Sequence, residues 1–273
     1  SVADDPETGS IPSCLLQPDI SRCLVEMLRL FFIGAGGINW TKTCVSELEG
    51  CWLSNSSYCG WLGVECAPNT TEVISLSLPG NNLYRPTGFG IPFQLASLTT
   101  LQTLNLADND FDGNPLDDAF NSLTELRSLD LSRTSLGIPQ LSGLTNLRYL
   151  ALSQTDFGEN IDFLRNLTKL EYLDLSSDTT TYRIFPTTEP IGALHALRFL
   201  QLAGNSIWNL TSFAGLTELE FLDLSNFKLT GFYVVNWPGF KGTEALSNMT
   251  RLQYLDLGVS TPPEVSNPQS NII

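Results

Sequence analysis

The pattern L-x-x-L-x-L recurs along this chain at intervals of about 21 to 33 residues, and no other feature restricts its fold as much. Copies begin at Val73, Leu101, Leu126, Leu147, Leu170, Leu197, Leu219 and Leu252. A further leucine stands three residues ahead of most starts, at Leu98, Leu123, Leu144, Leu167, Leu194 and Leu216, with Met249 in the last copy. Within L-x-L the period is two, so both leucines face one side of a short strand and the residue between them faces the other. One coil has nothing to bury its leucines against. Stacked coils cover each other, which predicts an α/β repeat solenoid with a curved parallel sheet and one continuous core. About eight repeats fill 73–260, with insertions near 178–190 and 230–244; a segment 1–72 precedes them and a tail 261–273 follows.

Three residues after the last leucine of a repeat stand Asn81, Asn109 and Asn205, whose amides can satisfy backbone groups left unpaired where the strand turns away. Thr134, Thr155, Asp178 and Ser260 do so less completely, and Phe227 not at all.

All six cysteines, Cys14, Cys23, Cys44, Cys51, Cys59 and Cys66, precede the first repeat. An even, clustered set fits disulfides in an oxidising compartment. Structural zinc is the rival, but there is no Cys-x-x-Cys pair and the single histidine, His195, is far off in sequence. Sequons at Asn39, Asn55, Asn69, Asn166, Asn209 and Asn248 add to the secretory reading, so a secreted or cell-surface glycoprotein is expected. A formal charge of -15 repels phosphate backbones and anionic lipid, which argues against nucleic acid as a partner. The longest apolar stretch, near Leu28 to Gly37, is too short to span a bilayer. Starting at Ser1 without a signal-like run, the chain reads as a mature or trimmed product.

The segment ahead of the repeats reads Trp52-Leu-Ser, then Cys59-Gly-Trp61-Leu-Gly63-Val64-Glu-Cys66, then Val73-Ile-Ser-Leu76-Ser-Leu78. It resembles the N-terminal cap of plant-type extracellular leucine-rich-repeat proteins, C-x-W-x-G-V-x-C before the first repeat. Upstream, an amphipathic stretch around Leu24 to Phe32, a glycine-rich turn and Trp40 look like the longer cap of algal, other protist and bacterial relatives. The likeness covers nearly the whole chain from about Cys23. It implies a right-handed leucine-rich-repeat superhelix used for recognition, as in receptor ectodomains, polygalacturonase-inhibitor-like proteins and wall-associated proteins. It also implies a Cys59–Cys66 disulfide, and by analogy Cys14 with Cys23 and Cys44 with Cys51. The plant L-x-G-x-I-P turn is only approximated, in Phe111-Asp-Gly113-Asn-Pro115-Leu and Phe157-Gly-Glu-Asn-Ile161-Asp.

Strand alternation turns two columns of side chains outward on the concave sheet, roughly 4.8 Å apart from coil to coil. One runs Tyr149, Tyr172, Phe199, Phe221, Tyr254; the other holds Asp130, Asp174, Asp223 and Asp256. An aromatic stripe beside an acidic one suits a peptide, a protein loop or a sugar chain stacked on the rings. Alternatively, L-x-Y-L-D-L is common consensus in such repeats. A third column is small, from Ala107, Ser132 and Ser153 to Gly258. The insertions, with Tyr182, Arg183 and Trp237, serve either as further contacts or as local lids. No catalytic set emerges: His195 takes a slot that threonine fills in six sister repeats, and the aspartates are evenly spaced rather than convergent. Neither metal nor cofactor is expected. The expectation is a non-enzymatic, receptor-ectodomain-like module for a protein, peptide or glycan; the alternatives are an inhibitor of an extracellular wall-degrading enzyme and a structural surface-assembly protein. Without a cysteine-bearing terminal cap, the last coil is expected to need further repeats, a partner or self-association to cover its leucines.

Overall fold

The computed structural model describes residues 20–41, 51–54, 56–84, 93–111, 118–134, 137, 141–158, 160–177, 185, 187–207, 209–226 and 240–258. The amphipathic stretch folds as helix α1 (Ile20–Gly34), and its buried positions, Leu24, Met27, Leu28, Phe31 and Phe32, recur at the three-to-four spacing of a helical face. Gly36 (φ 70°) then turns the chain, and Gly37 passes where a Cβ would come within 2.4 Å of the Phe32 ring. Phe31, Phe32, Trp40, Trp52 and Trp61 close into one ring cluster; Trp40 and Trp52 meet edge-on at 5.0 Å, and Trp52 lies 5.2 Å from Trp61. This cluster caps the first coil, with Trp40 donating to the Ala35 carbonyl and Trp52 to that of Leu62.

The cap motif explains itself physically. Cys59 and Cys66 form the expected disulfide, Trp61 and Val64 are buried, and Gly63 (φ 80°) approaches Ser77 so closely that a Cβ would sit 2.3 Å from its carbonyl oxygen. Cys23 and Cys51 are disulfide-bonded as well; Cys14 and Cys44, the partners expected by analogy, lie outside the described residues.

The sheet runs β1 (Val64–Cys66), β2 (Val73–Ser77), β3 (Thr103–Asn105), β4 (Ser128–Asp130), β5 (Tyr149–Ala151), β6 (Tyr172–Asp174), β7 (Phe199–Gln201), β8 (Phe221–Asp223) and β9 (Tyr254–Asp256), in chain order. From β2 onward every pairing is parallel and in register, as the leucine repeat requires. The first pairing differs: β1 and β2 are antiparallel. Sequence reasoning missed this strand because it belongs to the cap rather than to the repeat. The link from Cys66 to Val73 is too short for a parallel crossover, so the chain can only double back.

On the convex side the upstream leucines close i→i+3 backbone bonds, Leu101 to Leu98, Leu126 to Leu123, Leu170 to Leu167 and so on, at 2.9–3.2 Å. In that 3-10 geometry residues three apart eclipse, so both leucines of each L-x-x-L point inward. Short helices α2 (Phe93–Ala96) and α3 (Glu189–Gly192) occupy the same phase as the 3-10 turns of the other coils. The core leucines of the central coils, such as Leu150, Leu173 and Leu200, are wholly buried. Leu255, in the last described coil, is 42% exposed, which shows how far burial depends on a coil on each side.

The asparagine ladder forms. Asn109 donates to the carbonyls of Leu78, Leu106 and Ala107 at 2.8–3.1 Å and accepts from the N–H groups of Asn81 and Leu83 at 3.0 and 2.9 Å. Asn205 repeats the donations to Leu175 and Leu202, and Thr134 and Thr155 each reach the Leu131 carbonyl. Asp178, Phe227 and Ser260 lie outside the described residues.

Candidate functional site

In-register strands put the aromatic column together coil by coil: Tyr149 beside Tyr172, then Phe199, Phe221 and Tyr254. The rings stack nearly parallel, at centroid separations of 4.3, 4.4, 4.1 and 4.4 Å and interplanar angles of 4–14°. Strands about 4.8 Å apart leave room for one ring thickness per step, and the concave side of a curved sheet shortens that step further. One expectation is corrected here. Sugar rings stacked on these faces are excluded inside the column, because each inner ring already has a neighbour on both faces. A ligand meets a ribbon of ring edges.

The acidic column lies alongside. Asp130, Asp174 and Asp223 are half-buried, and each carboxylate accepts the N–H two residues on, from Ser132, Ser176 and Ser225 at 2.8–3.0 Å; Asp256 holds Gly258 in the same way. Asn105 does this for Ala107. These side chains therefore fix the strand exit as well as charging the groove. Burial raises the Asp174 pKa, opposed by the hydrogen bonds from Ser176 and reinforced by the charges of Asp130 and Asp223. Burial also raises the Tyr149 and Tyr172 hydroxyls, with Asp130 and Asp174 adding to the effect. A carboxylate whose folded pKa is raised opposes folding once ionised, and protonating it relieves that cost. Asp174→Asn, which keeps the acceptor for Ser176, should accordingly raise the melting temperature at pH 7. Its advantage over the wild type should close as pH falls through the carboxylate range. A melting-temperature series from pH 3 to 7 checks this; an advantage independent of pH contradicts it.

A feature that sequence reasoning passed over borders the rings on the other side. The residue before each of the first four aromatics alternates in sign, and Arg148 pairs with Glu171 and Arg198 with Glu220; before Tyr254 stands the neutral Gln253. Exposed pairs like these contribute little stability, but they give the ribbon a polar rim. Glu171, Arg198 and Glu220 with Tyr172, Phe199 and Phe221 line an open depression of about 260 Å³. The signal was legible, an R-E alternation one residue ahead of the ring column.

The small column forms a floor in which Ala107, Ser132, Ser153 and Ala203 are buried. Tyr182, Arg183 and Trp237 of the insertions lie outside the described residues; Phe185 of the first insertion is buried and parallel to Phe157 at 6.3 Å. Asn39, Asn69, Asn166, Asn209 and Asn248 are all exposed and stand apart from the two columns, while Asn55 lies outside the described residues. His195 is exposed on the convex side, with Nδ1 3.1 Å from the Gly215 carbonyl.

A stacked-coil parallel sheet, 3-10 turns behind it, a polar ladder and a disulfide-closed tryptophan cap together define an extracellular leucine-rich-repeat solenoid. Its relatives are plant receptor-like proteins and receptor-kinase ectodomains. Over 236 residues, 80% of the chain, it is 30% identical to Receptor-like protein 9DC1 of Solanum pimpinellifolium, 26% of whose length is matched. Over 183 residues, 64% of the chain, it is 31% identical to Protein BRASSINOSTEROID INSENSITIVE 1 of Arabidopsis thaliana, 15% of whose length is matched. The chain thus spans about a quarter or less of these relatives. Among solved structures, the ectodomain of the Arabidopsis receptor kinase HAESA, in complex with an N-terminally extended IDA peptide hormone, superposes with a TM-score of 0.66 at 26% identity, covering 85% of this chain and 36% of that one. No protein-family model matches.

Proposed function

We propose that the protein is a recognition module that binds an extended peptide along its concave face, in the manner of a receptor ectodomain, and carries out no chemistry. The carrying observation is the ring ribbon itself: five aromatic side chains on consecutive coils are held with their edges toward solvent, Tyr254 44% exposed and the others half-buried. Apolar edges kept at a surface are a liability unless something covers them. Interface anchors are enriched in such rings, and the polar rim and acidic flank supply orientation. The peptide hormone bound to the HAESA ectodomain supports the same ligand class. The evenly spaced aspartates, each occupied with its own strand exit, and His195 on the opposite face supply no convergent acid–base set. In this reading the exposed sequons Asn39, Asn69, Asn166, Asn209 and Asn248 carry glycans that leave the groove open.

Peptide display selection against the protein, followed by affinity measurement on purified variants, tests the proposal. Tyr172→Ala and Phe199→Ala should each weaken selected peptides by about tenfold or more, the scale of an interface anchor. Unchanged affinities in both variants would move the site off this face.

A further inference from the structure

The ring column has an open end. Tyr172, Phe199 and Phe221 each have a ring against both faces, but Tyr149 has one only on the Tyr172 side. On its other side the register continues through Ser128 of β4 and Thr103 of β3, where no ring is available. The coil spacing that admits a ring at every later step therefore leaves a ring-thick slot above Ser128. Asp130 stands two residues along the same strand face, and its register partner in the next coil is Ala151, so only a methyl group flanks the carboxylate there. The Asp130 charge reaches the Tyr149 hydroxyl. One carboxylate oxygen is held by the Ser132 N–H at 3.0 Å, which leaves the other for a ligand.

Two protein cations lie near. Arg133 is bonded to Asp108 twice, Nη2 to Oδ2 at 2.6 Å and Nε to Oδ1, and its charge also reaches Asp130 from there, so that it neutralises part of the Asp130 charge without occupying its free oxygen. Arg127 is exposed and borders the slot from the side opposite Asp130, since Ser128 lies between them along the strand.

We propose that this slot seats an arginine side chain of the bound peptide, its guanidinium flat over Ser128 against the open face of Tyr149 and paired with Asp130. The choice follows from shape and charge together. A guanidinium is planar, stacks on an aromatic face and presents paired donors to a carboxylate. A lysine ammonium meets the charge but has no plane to stack. A ligand aromatic extends the stack but strips water from Asp130 without pairing it. With a formal charge of -15, the whole molecule draws a cationic segment toward the groove.

This inference rests on the peptide-binding reading, so the test separates the two. Capped decapeptides carrying one arginine, lysine or citrulline in an otherwise identical alanine–serine–leucine background are titrated into the intact protein by fluorescence anisotropy. Arginine should bind about tenfold tighter than citrulline, the combined scale of a stacked and charge-paired contact. Ser128→Tyr, which adds one ring to the column, should erase that preference without lowering the melting temperature, and Asp130→Asn should cut it. Equal binding of arginine and citrulline, or a preference that survives both substitutions, overturns the seat. If Phe199→Ala still weakens every peptide, the seat alone falls. Equal silence of all three decapeptides overturns the seat; the peptide-binding reading falls with it if display-selected peptides are indifferent to both Tyr172→Ala and Phe199→Ala.

Discussion

Replacing Asn109 with alanine is expected to cost about 3–5 kcal/mol of folding free energy, more than any single surface change in this protein. The side chain is 2% exposed and makes five hydrogen bonds to backbone groups of two coils. Of those groups the Ala107 carbonyl also accepts the Gly80 N–H at 2.8 Å; the Leu78 and Leu106 carbonyls and the Asn81 and Leu83 N–H groups lie where the strand ends and the coil turns, outside the paired strands. Alanine leaves them buried and unmet, and each unmet group costs about 1–3 kcal/mol before relaxation and water entry reduce the sum. The loss falls between the first two repeats, so it should uncouple the cap from the rest. In a Trp208→Phe, Trp237→Phe background, whose remaining tryptophans Trp40, Trp52 and Trp61 all belong to the cap, urea unfolding followed by tryptophan fluorescence should move to lower denaturant further than unfolding followed by far-ultraviolet circular dichroism. Coincident, unshifted transitions would contradict the ladder's role.

Leu173→Ala is expected to cost about 2–5 kcal/mol, the range for emptying a leucine site in a packed core. Leu173 is wholly buried on β6, with Leu150 and Leu200 as its register partners in the coils on either side. A solenoid gives such a site little means of collapse, since the backbone spacing is fixed by ladder hydrogen bonds above and below. Leu255→Ala provides the internal comparison: the same residue at the same phase is 42% exposed in the last described coil, and its truncation should cost well under half as much. Chemical denaturation of both variants measures the difference, and equal losses would mean that stacking does not confer the burial.

The repeat carried most of this fold into the sequence. Leu150, Leu173 and Leu200 could be assigned inward from spacing alone, because one wrong residue in register would turn a leucine to solvent in every coil. The Cys59–Cys66 disulfide was legible through resemblance to a cap, and geometry then accounts for Trp61, Gly63 and Val64 one by one. Strand β1 was not legible, since it pairs only once and obeys no period. At the site, the membership of the columns could be read but not the attitude of the rings. Alternation says that Tyr172 and Phe199 point outward; only the coil-to-coil distance decides that they cover one another's faces and offer edges. The ion pairs Arg148–Glu171 and Arg198–Glu220 escaped because opposite signs on neighbouring coils stand more than twenty residues apart along the chain.

Hydroxyl-radical footprinting of the protein, free and saturated with a display-selected peptide, tests the concave-face claim most directly. Protection is expected at Tyr149, Tyr172, Phe199, Phe221 and Tyr254 together, with the convex turns at 162–166 and 211–215 labelled equally in both states. Protection of those turns, with the five rings oxidised to the same extent bound and free, would contradict it.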